Sequence, residues 1–417
     1  MKIKGLRWYI MGLICLTTAL NYMDRQTLAL LAHTLERELG ITTLQYSHIT
    51  AAFLTSYTIM YAVSGRLIDY LGSRRGLAIF VSGWSIVDVM HSFARNVWQF
   101  MFCRFMLGAA EPANFPAGVK VVSEWFPMRE RALAVGIFNS GTAVGAALAA
   151  PMVAWVVLHF GWQYSFAVGA VMGVTWVVFW SFIYRLPRQH PCITAEELRL
   201  IEDNQPPKAA PKSVSTLRIL QMRETWGCIL ARMLTDPISN FFAFWMPKFL
   251  QQERGFDLAA IARYYWIPYA GLAVGNLAGG AIPNYMIRQG WSLDRSRKTM
   301  MFIASIMIPV CFILITRVPN PAMAIVCITI AMFFHAAWAN MTLPTEVFEK
   351  HVVGSVTGFG GAAGSLVSAV TMLVIGRTVT VSSFTPVFVI YSALPLTAFV
   401  IVCILVKKLG CVREVPV

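Results

Sequence analysis

Two charged side chains, Asp24 and Arg25, stand next to each other inside an apolar run from Trp8 to Leu31. A run of this length can cross a bilayer, since about 20 apolar residues span the hydrocarbon core. A charge at the centre of a bilayer costs roughly 3 kcal/mol on insertion scales, so it normally faces the protein interior or a water-filled path and has a partner. The pair therefore indicates a transport site. The structural alternative is a pair of charges that reach the membrane surface near a helix end.

Arg104 and Glu111 form a second charged set, in an apolar run that begins near Trp98. Seven residues separate them, which is two helical turns, so both side chains face the same way. At 1.5 Å per residue, Asp24 lies roughly 24 Å from the inner end of its run and Arg104 roughly 9 Å from the outer end of its own. Asp24 and Arg104 then lie at similar depth in a core of about 30 Å. The helix face with Arg104 and Glu111 therefore offers a cation that can bind a carboxylate and a carboxylate that can bind a proton. Glu111 could instead be a structural carboxylate beside the Pro112 kink.

The composition is that of a polytopic membrane protein. Of the 417 residues, 57% are hydrophobic and 13% are charged, and the mean hydropathy is +0.62. The formal net charge of +14 could suit nucleic acid, but the basic residues occupy short loops between apolar runs, as the positive-inside rule predicts. The eight cysteines are dispersed without a CxxC pair. We therefore expect no nucleic-acid partner, no disulfide framework, no metal site and no cofactor.

Twelve apolar runs in series predict twelve transmembrane helices. They begin near Trp8, Tyr46, Leu77, Trp98, Ala132 and Trp162 in the first half, and near Trp226, Ile261, Thr299, Ala322, Val352 and Phe384 in the second. The first run is too long for a cleavable signal peptide and reads as a first span. A basic, proline-rich stretch divides the chain into residues 1–184, a linker over 185–225, and residues 226–417. Basic residues cluster on the loops of one side, which predicts that the linker and both termini are cytoplasmic.

A spaced motif follows the second run: Gly65, Asp69, Gly72 and Arg74. It resembles the GxxxDxxGxR/K loop between spans two and three of the major facilitator transporters, whose two six-span halves enclose a site near the midplane. In that family the loop acts as a latch of the inner gate. Physically, the glycines would allow two helices to approach closely, and Asp69 could accept from arginines or from a helix N-terminus. An ordinary basic loop is the alternative.

Three further segments resemble the anion:cation symporter branch of the same family. They are NYMDR at 21–25, RFMLGAAEPANFP at 104–116 and SEWFPMRER at 123–131. Within the branch, KIKGLRWY at 2–9 and FGGAAG at 359–364 are most similar to the hexuronate transporters. The resemblance covers essentially the whole chain. It implies an all-α major facilitator fold of twelve helices in two six-helix halves, in a bacterial inner membrane.

The resemblance also implies roles for single residues. Asp24 and Glu111 would couple proton movement to transport, and Arg104 would be the cation that interacts with Asp24. Arg25 would bind a substrate carboxylate, with Tyr57 in contact with the substrate. Three polar residues at membrane depth could hydrogen-bond a polyhydroxy ligand or hold helices together, with neither role favoured: Asn139, Trp338 and Asn340.

Other polar residues in the runs carry weaker signals. Arg232 and Asp236 are four residues apart, which favours an ion pair within one helix. His335 is expected to be a satisfied buried histidine, and Asp88 has no motif context, so no role is predicted for it. Compared with hexuronate transporters, LAVG at 272–275 lacks an acid and HAAWA at 335–339 lacks a glutamine. These departures leave the identity of the substrate open.

Three classes of function compete for such a chain. An embedded enzyme is disfavoured because the sequence has no HExxH or GxSxG motif, and an ATP-driven pump because it has no Walker A loop. We therefore predict a non-enzymatic, monomeric transporter that imports a small organic anion with protons, most simply a hexuronate such as galacturonate or glucuronate. An aldonate, an aldarate or another carboxylate is the alternative substrate. Sodium coupling and uniport remain open.

Overall fold

The protein is described by a computed structural model that covers residues 2–127, 130–203, 216–339, 343–348 and 350–410. Twelve spans, numbered in chain order, follow one another within these residues. Spans 1 to 6 are Leu6–Leu39, then Thr43–Phe93 (spans 2 and 3), then Val97–Ala110 with Glu111–Ala113 and Asn114–Trp125 (span 4), Arg131–His159 and Gln163–Ile183. Spans 7 to 12 are Arg223–Phe244 with Met246–Arg254, Leu258–Tyr264 with Trp266–Arg288, Leu293–Arg317, Pro321–Ala339 with Leu343–Val347, Lys350–Val381, and Thr385–Leu405.

Seven of the helices in the described ranges are long and apolar enough to cross a membrane by length and composition alone. The helix of spans 2 and 3 is one of these seven. The other spans carry several charges, as span 1 does, or are interrupted, as spans 4, 7 and 8 are. The all-helical architecture and the twelve predicted spans are thus confirmed. Spans 1 and 4, which carry the buried Asp24, Arg25, Arg104 and Glu111, are among those that hydropathy alone does not identify.

The predicted loop between spans 2 and 3 is wrong in its local structure. The chain stays helical from Thr43 to Phe93, and the helix direction changes at Gly72, whose φ of 76° and ψ of 158° are not helical. Glycine adopts a positive φ without the steric penalty that a Cβ would bring. A single glycine therefore bends the chain where the sequence predicts a separate loop.

The first part of the linker lies on the first half. Glu197, in the helix Ala195–Asp203, accepts hydrogen bonds from the backbone nitrogens of Leu6 and Arg7, each at 3.1 Å. The first backbone N–H groups of a helix have no partner within it, so this carboxylate caps span 1 from another segment. Arg7 also pairs with Glu130, at 2.9 Å. The remaining linker elements are Pro187–Gln189 and Thr216–Gln221.

The two halves meet along spans 1 and 7, 2 and 11, and 5 and 8. Hydrogen bonds join them at the outer end, by which we mean the end opposite to the chain termini. Tyr46 donates to the Phe244 carbonyl oxygen at 2.6 Å. Lys248 is fully buried and donates to Thr43 at 2.9 Å, and its ammonium lies 3.2 Å from the Glu36 carboxylate. The outer end is therefore closed.

Glycines bring spans 8 and 10 into backbone contact. A Cβ added at Gly275 would collide with the backbone of Phe333, and one at Gly279 would lie 2.7 Å from the Ala337 carbonyl oxygen. A Cβ added at Gly280, in the same helix, would meet no atom within 4 Å. Small residues commonly allow such close packing between membrane helices.

Gly275→Ala should therefore destabilise the protein, by about 1–3 kcal/mol, because the new methyl group overpacks this contact. Gly280→Ala is the matched control and should melt no earlier than the parent. Thermal unfolding of the purified protein in detergent measures both. Equal melting temperatures for the two variants would contradict the packing described here.

Candidate functional site

An ion pair between Arg25 and Glu111 lies buried between spans 1 and 4. Nη2 of Arg25 lies 2.7 Å from Oε2 of Glu111, and Nε donates to the same oxygen at 3.2 Å. The two side chains are 10% and 0% exposed. Glu111 opens the short 3-10 segment Glu111–Ala113, where Pro112 has no backbone N–H to continue the α-helix. The break in span 4 thus lies at the carboxylate that meets Arg25.

Three aromatic rings surround the guanidinium of Arg25. Its carbon lies 4.7 Å from the ring centre of Tyr22, 5.2 Å from Phe53 and 5.0 Å from Tyr57. Desolvated cations are attracted to the faces of such rings. The structure therefore brings together Arg25, Tyr57 and Glu111, but the pairing of Arg25 with Glu111 has no counterpart in the sequence-based expectation.

Asp24 faces a different set of residues. Its carboxyl group is within hydrogen-bonding reach of the Asp88 carboxyl on span 3, and Arg104 is the nearby cation of both. Asp24 is 5% exposed, Asp88 1% and Arg104 0%. Among the described residues, none of the three guanidinium nitrogens of Arg104 has a hydrogen-bond partner. The expected proximity of Asp24 and Arg104 is present, without a direct hydrogen bond.

Asp88 is the residue that sequence reasoning missed. It lies near the outer end of an apolar run and belongs to no recognised motif, so nothing in its neighbourhood points to Asp24. The available signal is its type, because a carboxyl group inside a span is costly and normally has a partner. That rule predicts a contact for Asp88 but does not name the partner.

A cavity of about 410 Å³ lies between the halves. The spans contribute their termini-side portions to its lining, which includes Tyr61, Asn139, Arg232, Asp236, Ser239 and Trp338. Asn139 is exposed in it and Trp338 is mostly buried. Asn340 lies outside the described residues. Since the outer end is closed, this cavity faces the side of the termini.

Arg25 lies behind the cavity wall. Tyr61 lines the cavity, the ring of Tyr57 is centred 6.0 Å from that of Tyr61, and Tyr57 in turn faces Arg25. Two tyrosine rings thus lie between the buried ion pair and the open space. The predicted substrate residues fall into two groups, with Arg25 buried beside the half-buried Tyr57, and Asn139 and Trp338 at the cavity.

The ion pair expected in span 7 is present, and the buried histidine expected in span 10 is satisfied in part. Arg232 and Asp236 form the predicted intrahelical ion pair, at 2.9 Å, and both also line the cavity. His335 is buried, and its Nε2 is hydrogen-bonded to the hydroxyl of Ser239, another lining residue. Its Nδ1 has no hydrogen-bond partner among the described residues, so only one of its two ring nitrogens is satisfied. Arg232 is therefore a second cation that a ligand in the cavity would meet.

The four motif residues lie at the termini side of spans 2 and 3. Asp69 is exposed and pairs with Lys120 of span 4, at 2.8 Å, rather than with an arginine. Arg74 donates to the Ser181 carbonyl oxygen at 2.6 Å. A Cβ added at Gly65 would meet no atom within 4 Å, so Gly65 makes no close helix contact in this conformation. These contacts all stay within the first half.

A bundle of twelve spans in two halves, with a cavity between them and charges buried beside it, is the architecture of a membrane transporter. Residues 14–372 match the model of the Major Facilitator Superfamily, and the chain belongs to this family. It is therefore a multi-pass membrane transporter and not an enzyme, as the sequence predicts.

Known proteins extend this assignment. The chain is 36% identical over 409 residues to the hexuronate transporter of Escherichia coli strain K12, covering 96% of this chain and 94% of that protein. It is 37% identical over 285 residues to the galacturonate transporter of Dickeya chrysanthemi, covering 68% and 83%. The inward open structure of the xylose transporter XylE from E. coli has the same fold, with a TM-score of 0.72 at 14% identity over 95% of both chains.

The buried pair predicts a non-additive effect on stability. Glu111→Gln and Arg25→Met should each destabilise the protein by about 3–5 kcal/mol, because each leaves a buried charge without its partner. The double variant should recover most of the loss. Thermal unfolding in detergent measures the cycle.

The exposed pair of Arg188 and Glu202, at 2.6 Å, is the control. Removing either of its partners should change stability by less than about 1 kcal/mol. Additive losses for the Arg25–Glu111 pair, or losses no larger than those of the control, would contradict the tight coupling of the buried pair.

Proposed function

We propose that the protein is a symporter that carries a sugar-acid anion into the cell together with protons. The substrate class is a hexuronate such as galacturonate or glucuronate. The protein acts as a monomer in the bacterial inner membrane, with halves 1–184 and 226–417, the linker 185–225 and both termini on the cytoplasmic side. The single observation that carries this proposal is the buried Arg25–Glu111 pair, in a chain whose relatives include hexuronate and galacturonate transporters.

The pair supplies the chemistry for an anion site. A guanidinium binds carboxylates through a fixed set of N–H donors. In the present conformation Glu111 occupies the donors Nε and Nη2 of Arg25. A uronate carboxylate has the same shape and charge as the Glu111 side chain. It can therefore replace Glu111 at Arg25, with Tyr57 beside its ring, while Asn139, Trp338 and Asn340 are proposed to meet its hydroxyl groups.

Proton coupling follows from this competition. A protonated Glu111 has no net charge and binds Arg25 weakly, so Arg25 becomes free for the anion. When the anion leaves, Glu111 loses its proton and returns to Arg25. Each anion that enters the site thus requires a proton on Glu111. Asp24, with Arg104 as its cation, is proposed as a second proton-coupling residue.

Alternating access requires the two ends of the protein to close in turn. The outer end is closed here through Lys248 and Tyr46. The motif of Gly65, Asp69, Gly72 and Arg74 lies at the open end, where its contacts remain within the first half. We infer that this motif forms the inner gate and meets the second half when the inner end closes.

Uptake of labelled galacturonate into liposomes tests the proposal. Accumulation should follow an inward proton gradient and not a sodium gradient, and unlabelled glucuronate should compete better than aldonates or aldarates. Stronger competition by an aldonate or aldarate would move the substrate to that class. Accumulation driven by sodium alone would overturn proton coupling.

Replacing Glu111 by glutamine separates binding from coupling. Glu111→Gln imitates the protonated form, so Arg25 stays available. Counterflow exchange of galacturonate should remain within about threefold of the parent, while accumulation driven by a pH gradient should fall at least tenfold. Glu202→Gln, in an exposed pair, should leave both unchanged. Gradient-driven accumulation that survives Glu111→Gln would reduce Glu111 to a structural role.

Arg25→Lys tests the geometry of the anion site. Lysine keeps the charge but presents a point-like ammonium that cannot reproduce the planar guanidinium. Counterflow should fall at least tenfold. Arg37→Lys is the matched control, since Arg37 lies at the outer end of the same span with a 74% exposed side chain. Near-normal exchange by Arg25→Lys would show that Arg25 is not the anchor.

A further inference from the structure

Asp88 and Asp24 form a contact that the function proposed above does not use. The Asp88 side chain is buried, with 1% of the residue exposed. Within the described part of the chain, no N–H or O–H group donates a hydrogen bond to either of its oxygens. It lies within hydrogen-bonding reach of the Asp24 carboxyl. Span 6 covers both groups with a glycine, because a Cβ added at Gly169 would lie 2.5 Å from Oδ1 of Asp24 and 3.7 Å from Oδ2 of Asp88.

The surrounding elements provide few charges. The titratable and charged residues that face the pair are Cys103, Arg104 and Glu111, all of span 4. Tyr46 of span 2 and His91 of span 3 lie near Arg104. Span 6 faces the pair through Gly169, which has no side chain. Arg25 of span 1 is directed to Glu111 instead.

His91 does not supply a second positive charge. It is fully buried, its Nδ1 lies 2.9 Å from the Val87 carbonyl oxygen, and its ring stacks on Phe166 at 4.9 Å. Because a carbonyl oxygen only accepts, Nδ1 carries a proton and donates to it. Nε2 has no hydrogen-bond partner among the described residues. A proton on Nε2 would make it a buried donor without an acceptor, so the ring is neutral.

The charges then do not balance. Arg25 and Glu111 neutralise each other, which leaves Arg104 to face two carboxyl groups. Two ionised carboxylates in contact, shielded from water, repel strongly, and such pairs hold one proton between them. With that proton, one carboxyl donates a hydrogen bond to the other, and the remaining single negative charge matches Arg104.

We propose that Asp24 and Asp88 are a carboxyl pair that holds one proton in this conformation, so that Asp88 is a third proton-carrying residue beside Asp24 and Glu111. The role in transport rests on the proton coupling proposed above, whereas the shared proton does not. Because the guanidinium of Arg104 has no hydrogen-bond partner here among the described residues, a movement that brings it onto the pair would stabilise both carboxylates and release the proton.

Infrared spectroscopy of the purified protein detects the shared proton without any substrate. At neutral pH the parent should show the carbonyl band of a protonated carboxylic acid, and the band should shift when aspartate carries ¹³C. Asp88→Asn and Asp24→Asn should each remove the band, because the remaining carboxyl then faces Arg104 alone and ionises. A parent spectrum without such a band, or a band that does not shift with labelled aspartate, would overturn the proposal.

Two controls make the assignment specific. Asp257→Asn should keep the band, since Asp257 caps an outer helix far along the chain from the pair and asparagine also caps. Glu202→Gln, in the exposed pair with Arg188, should keep it as well. A band that persists in Asp88→Asn would overturn the pairing. If Asp88→Asn does not fold, Asp24→Asn and the labelled parent make the same test.

The spectra and the transport assays fail independently. A band that behaves as expected in a protein that accumulates no galacturonate would support the pair and reject the proposed function. Proton-driven accumulation by a protein without the band would support the proposed function and reject the carboxyl pair. If the parent shows both the band and proton-driven accumulation, Asp88→Asn should shift the pH dependence of uptake while Asp257→Asn should not.

Discussion

The structure is organised by the cost of placing charge away from water. Arg25, Arg104, Asp24, Asp88 and Glu111 are all at least nine-tenths buried in spans 1, 3 and 4. A buried charge is tolerated only with a partner, and removing one partner is more costly than never having had either. These five side chains therefore constrain how the spans of the first half can pack. In the proposed function they also provide the groups that exchange a proton for an anion.

The spans that carry these charges are irregular. Span 4 passes through a 3-10 segment at Glu111, and spans 2 and 3 change direction at Gly72. The outer end closes on a fully buried lysine, Lys248, which needs Glu36 and Thr43 as partners. Apolar packing forms the bundle, while a small number of polar contacts determine which end is closed. A transporter must be able to exchange these contacts without unfolding.

Much of the architecture could be predicted from the sequence, because hydropathy and charge act over whole runs of residues. Twelve spans and a charged first span follow from that pattern alone. The pairing of Arg25 with Glu111 could not be predicted, since it depends on how spans 1 and 4 rotate against each other. The contact of Asp88 with Asp24 could not be predicted for the same reason, since Asp24 comes from span 1. The bend at Gly72 depends on one residue's backbone angles, which leave no hydropathy signal.

In the proposed cycle, an anion takes the place of the Glu111 carboxylate at Arg25, and Glu111 must first be protonated. Calorimetry of galacturonate binding to the purified parent protein, in two buffers with different heats of protonation, measures this directly. At a pH where Glu111 is ionised in the free protein, we expect the binding enthalpies to differ by the amount that corresponds to net proton uptake from the buffer. Equal binding enthalpies in both buffers, with galacturonate bound, would contradict this proton-linked replacement of Glu111 by the anion.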